Sequence, residues 1–166
     1  MRAARWIAAL TCLWPLAAAA QEPPAARVLV ELASVWQGGG ETNGMPATLR
    51  LHWEPVLDGA WTRLALSNRM QAPDGKEWHF QAQAFYRVGP DGAISGNWFD
   101  SRGRSLPLAG SAEAGIMTIR WGTSESAEQG RSTYRLATDA LEITDEVLTK
   151  EGAWRVFGRS RLARMP

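Results

Sequence analysis

The sequence predicts an all-β protein: a single up-and-down antiparallel barrel of about ten strands, with at most a short N-terminal helical turn. Three observations lead there. Turn-forming clusters punctuate the chain at short intervals, apolar and polar residues alternate between them, and no segment sustains a long helical period. The clusters are Asn43-Gly44, Asp58-Gly59, Pro73-Asp74-Gly75, Gly89-Pro90-Asp91-Gly92, Ser101-Arg102-Gly103, Glu113-Ala114-Gly115, the polar loop 123–130, Thr138-Asp139 and Lys150-Glu151-Gly152. Each offers a residue suited to positive φ or to turn initiation.

The first 20 residues read as a secretory signal. Arg2 and Arg5 precede an apolar run from Trp6 to Leu16, and four alanines end at Ala20. The run is short for a membrane span, which needs about 20 apolar residues, and it contains Pro15. Cys12 lacks the small residue that a lipid-attachment site wants just before it. The expected domains are therefore a signal peptide at 1–20, a lead-in at 21–33 and a barrel at 34–166, with the mature protein periplasmic or secreted. Cleavage would remove Arg2 and Arg5 and no acidic residue, moving the formal charge from +1 to −1. Neither value marks a nucleic-acid partner or stable membrane insertion after cleavage. It would also remove the single cysteine, leaving no disulfide, thiol nucleophile or Cys-ligated zinc.

The lead-in carries Val28, Leu29 and Leu32 at helical spacing, although Val28 and Val30 also suit a strand. The first barrel strand holds Trp36, expected to plug one end, and Gly38 and Gly40, expected to permit bending or close backbone approach. Next come Leu49, Leu51 and Trp53 against Arg50, His52 and Glu54, and then Leu64, Leu66 and Met70 against Trp61, Arg63 and Ala65. Trp78, Phe80, Ala82, Ala84 and Tyr86 oppose Glu77, His79, Gln81 and Gln83. Met117, Ile119 and Trp121 oppose Thr118 and Arg120, and Leu141, Ile143 and Val147 oppose Glu142, Thr144 and Glu146. On the final strand Trp154, Val156 and Leu162 are expected inside, against Arg155, Arg159 and Arg161. One dry and one wet face on every strand is the requirement of a single curled sheet, and closure removes its edges.

The chemistry-bearing residues are few. His52 and His79 fall on the wet face and on non-neighbouring strands, which reads as surface histidine. There is no Gly-x-Ser-x-Gly elbow, no phosphate loop and no metal-ligand spacing. Asp145 is the informative residue. It shares the dry face of Ile143 and Val147, so its carboxylate must be paired or neutral. Arg63, Tyr134 and Ser160 are its candidate partners in a polar floor. With Trp53, Phe80, Trp98 and Trp121, the residues Arg63, Tyr134 and Asp145 form the candidate ligand-binding set. Ten strands make a barrel wider than the eight whose interior side chains can just fill. The expected function is therefore non-catalytic binding of a small, largely apolar ligand. Alternatives are an acid/base enzyme using Asp145 or a histidine, and an envelope factor docking protein through an apolar patch near Val28 and Leu29.

The segment Trp36-x-Gly38-x-Gly40, Met45-Pro46-Ala47, Trp53-Glu54-Pro55-Val56-Leu57, Gly96-x-Trp98-Phe99-Asp100-Ser101-x-Gly103 and Leu141-Glu142-Ile143-Thr144-Asp145-Glu146 resemble the calycin-like barrels. These comprise lipocalins, fatty-acid-binding proteins and nitrobindin-type haem barrels; the nearest likeness is to small exported bacterial proteins of that shape. The resemblance implies an interior able to hold a small apolar molecule. Ser34 stands where a lipocalin has the glycine of Gly-x-Trp. The late-strand histidine of the haem barrels is missing, so no cofactor is expected and haem is disfavoured. The final-strand Arg-x-Tyr pair of the fatty-acid carriers is missing too.

Overall fold

The computed structural model describes residues 23–166; the expected signal peptide lies outside them. One helix, α1 (Pro24–Leu32), precedes ten strands: β1 (Ser34–Thr42), β2 (Met45–Val56), β3 (Trp61–Gln71), β4 (Glu77–Val88), β5 (Ile94–Asp100), β6 (Ser105–Glu113), β7 (Ile116–Trp121), β8 (Gly130–Leu136), β9 (Ala140–Leu148) and β10 (Trp154–Arg164). Every strand pairs antiparallel with its neighbours in sequence, and β1 pairs with β10 to close the barrel.

The turns follow from local chemistry. Asn43 and Gly44 both take positive φ, the requirement of a two-residue hairpin turn whose twist matches the flanking strands. Gly75, Gly92, Gly103, Gly115 and Gly152 likewise supply positive φ where side chains rarely go. Gly38 and Gly40 have a different use. A Cβ on either would lie 2.2 Å from the Arg161 carbonyl oxygen or 2.0 Å from that of Arg159. Here β1 and β10 approach closer than any side chain allows, and the sheet curls shut at this seam.

The lead-in is a helix of nine residues, started by Pro24 in its first turn, where the missing N–H costs nothing. It buries Ala25, Val28, Leu29 and Leu32 and packs against β6 and β7. The sequence left helix and strand open for this stretch; the helical spacing prevailed because only that face can cover a round opening. Val28 and Leu29 are 4% and 5% exposed, so the apolar docking patch expected at these residues does not exist. Trp36 is buried, and its Nε1 donates to the Leu32 carbonyl at 2.9 Å, tying the plug to the barrel wall.

One alternation is corrected by the structure. The β9–β10 register shifts between Val156 and Gly158, a bulge that inserts an extra residue. Trp154 is consequently not an inner residue: Arg131, from the outer wall, lies over its ring at 4.5 Å. Phe157 instead meets the inner Trp121 edge-on at 6.4 Å.

Candidate functional site

Burial along the inner face is graded from one end of the barrel to the other. At the end covered by α1, Leu32, Trp36, Leu51, Trp53, Leu64, Tyr86, Ile94, Met117, Ile119, Leu141 and Leu162 are all at most 2% exposed. At the opposite end, inner residues such as Met70, Phe80, Trp98, Trp121 and Asp145 keep part of their surface accessible. The physical cause is unequal filling. Large side chains and a helix occupy one half, and the other half is bordered by small inner residues, including Gly40, Ala47, Ala82 and Gly158. The barrel is a cup with a plugged base.

Three aromatic rings make the floor. Trp53 stacks on Tyr86 with centroids 5.2 Å apart and meets Tyr134 edge-on at 5.4 Å, geometries that suit the ring quadrupoles. Burial first, and the charge of Asp145 second, raise the Tyr134 hydroxyl well above its ordinary value; burial is also the main cause for Tyr86. Both remain neutral hydrogen-bonding groups at physiological pH.

Above the floor stands Asp145. Ser132 Oγ donates to its Oδ1 at 2.6 Å, and its carboxyl lies over Gly158, 3.2 Å from where a Cβ would be. Burial pushes its pKa up to about 6, and the Ser132 hydrogen bond only partly opposes the rise. The expected partner Arg63 is not there. It lies on the outer wall, where its guanidinium binds Glu54 across the β2–β3 pair, because position 63 has the parity of Trp61 and Ala65. No hydrogen bond joins Ser160 to Asp145 among the described residues; Ser160 Oγ lies beside Gly40. The serine that matters is Ser132, register partner of Asp145 on β8. The sequence signal was available, since an inward hydroxyl two residues before inward Tyr134 shares its face.

Part of the inner wall toward this end is aromatic. Phe80 and Trp98 stack with centroids 6.3 Å apart, and Trp121 lies over Gly130, where a Cβ would stand 1.9 Å from the indole. At the rim Asp100, its side chain fully buried, accepts from Trp98 Nε1, Arg102 and Arg104, and Arg104 also binds Glu128 in the β7–β8 loop. Of the sequence-derived set, the structure thus brings Trp53, Tyr134 and Asp145 together, stacks Phe80 with Trp98, lays Trp121 over Gly130 between β7 and β10, and puts Arg63 outside.

Neither histidine faces the interior. The His52 side chain is 44% exposed beside Glu54, and His79 Nε2 meets Ser67 Oγ at 2.9 Å on the outer wall. The inner face offers no imidazole to iron, so its residues do not fit a histidine-ligated haem. Among the described residues no group of three His, Cys, Asp or Glu side chains has the geometry for a metal ion. Two concavities are open to solvent. One of about 590 Å³ runs across the outer wall of β2–β5 past Arg50, His52, Gln83 and Phe99. One of about 270 Å³ lies between the β1–β2 turn and the β10 bulge.

The closed ten-stranded barrel defines a class by shape, and solved structures contain it. The fold is similar to the crystal structure of Rv2717c from M. tuberculosis, with a TM-score of 0.63 over 86% of this chain and 98% of that one, at 16% identity. At that identity the likeness is one of fold alone. Neither a scan against protein-family models nor a search of curated proteins gave a match.

Proposed function

We propose that this protein is a non-catalytic, calycin-like carrier that acts after export and holds a small, largely apolar molecule in the open half of its barrel. The observation that carries the reading is the gradient of burial. One half of the inner face is sealed, and in the other half Asp145 and the aromatic wall lie inside the barrel yet remain accessible. Apolar, concave and largely preformed surfaces with few polar groups are what small ligands occupy. Covering the apolar surface of Trp98 and Trp121 with an apolar body is favourable, at roughly 25 cal/mol per Å² covered.

Titration with N-phenyl-1-naphthylamine, a neutral apolar fluorophore, tests the proposal. Saturable binding with energy transfer from tryptophan is expected, and Trp121→Ala should weaken it at least fivefold. Unsaturable, non-specific enhancement alone, or a signal that Trp121→Ala leaves untouched, overturns it.

A further inference from the structure

The inner surface of the cup is divided by chemistry. Around one side runs a polar arc that follows strand pairing: Ser132 on β8, Asp145 on β9, Gly158 on β10 and Thr42 on β1 are successive register partners. The arc then passes to Asn68 on β3, whose Nδ2 donates to Thr42 Oγ1 at 3.1 Å. Asn68 is 6% exposed, and its Oδ1 finds no donor among the described residues. The other inner residues of β4 to β7 at this end include Trp98, Leu106 and Trp121, and Phe80, whose ring lies 4.9 Å beneath the Arg102 guanidinium.

The arc has one ionisable carboxyl and no basic side chain. Every group facing Asp145 from the neighbouring elements is neutral: Ser132 and Tyr134 on β8, Gly158 and Ser160 on β10, and Tyr86 across the floor. Three of the nearby cations are paired with acids. Arg131 binds Glu146 on the outer wall, and Arg102 and Arg104 bind Asp100. Arg155 and Arg159 line the concavity at the β10 bulge, which Gly158 also borders. A carboxylate enclosed by protein and lacking a cation is a site that favours one from outside.

We infer that the cup is selective for ligands with a flat apolar body and a protonated amine, the ring against Trp98 and Trp121 and the ammonium on Asp145. This rests on the carrier reading above and adds the sign of the ligand's charge. It also excludes fatty-acid carriage in the orientation that places a carboxylate at the floor, where two like charges would meet. Acidification should release the ligand: Asp145 binds the cation while ionised, and protonation as pH falls through about 6 removes the attraction.

The test compares 1-naphthylmethylamine with 1-naphthoate, each displacing N-phenyl-1-naphthylamine. At pH 7.5 the amine should bind at least tenfold more tightly than the acid. Its affinity should drop at least tenfold at pH 4.5, where the amine is still charged. In Asp145→Asn the preference for the amine over the acid should vanish. The pH series on the unaltered protein needs no variant and keeps the test independent of folding. Equal affinities for the two probes, or an amine preference that survives both acidification and Asp145→Asn, overturns the inference and leaves the carrier reading standing. Failure of the neutral fluorophore to bind strikes the carrier reading itself.

Discussion

Asp145→Asn replaces a carboxyl by an amide of the same shape that can still accept from Ser132, so it isolates the charge. Burial raises the Asp145 pKa from 3.8 to about 6. The native state therefore holds this proton more tightly than the unfolded chain does. Stability from that preference is fully present below about pH 3.8 and is lost as pH rises to about 6, because only the folded form must then ionise a carboxyl with no cation beside it. The shift is about two pKa units, which corresponds to about 3 kcal/mol. Water entering from the open end makes this a ceiling. The variant should match the unaltered protein at pH 3.5, gain about half of the difference near pH 5, and reach the full gain above pH 7. For a domain of this size the gain appears as a rise of roughly 6–12 °C in Tm. Thermal unfolding followed by circular dichroism from pH 3.5 to 8 reads it directly. A stability difference that does not change with pH, or a variant less stable at pH 8 than the unaltered protein, refutes the placement of an unpaired carboxyl inside the barrel.

Other perturbations address other parts of the molecule. Asp100→Ala removes a buried acceptor shared by two arginines and an indole; a loss of about 3 kcal/mol is expected, measured by urea denaturation. Trp36→Phe deletes the hydrogen bond to Leu32 and should cost about 1–2 kcal/mol, with faster amide exchange confined to α1. Gly96→Ala places a methyl 1.9 Å from the Phe85 carbonyl oxygen and should cost more than about 3 kcal/mol or abolish soluble expression. Arg63→Ala cuts only the outer-wall pair with Glu54. It should change stability by no more than about 1 kcal/mol and leave fluorophore affinity unchanged, whereas a large affinity loss would return Arg63 to the site.

The one-dimensional pattern reached far in this chain because a barrel repeats one local rule. Alternate residues face inward, and turn residues mark where the strand reverses; both are short-range properties, written in neighbours such as Asn43-Gly44 or Leu49-x-Leu51-x-Trp53. The inward position of Asp145 followed from the same parity, as did the outward position of His52 and His79. Parity also placed Arg63 outside, yet an unpaired inner carboxylate suggested a basic partner, and that inference failed because opposite faces of a sheet do not communicate.

The rest depended on distant partners. The β10 bulge reverses parity at Phe157 through its register with β9, and alternation within β10 does not mark it. The pairing of Ser132 with Asp145, the Asn68–Thr42 link and the lay of Trp121 over Gly130 all join strands whose register closure alone fixes. From its own letters the chain determined strand, turn and inside against outside. Only folding decided which half of the interior is filled, because volume is a sum over all ten strands and the helix, and no local pattern carries a sum.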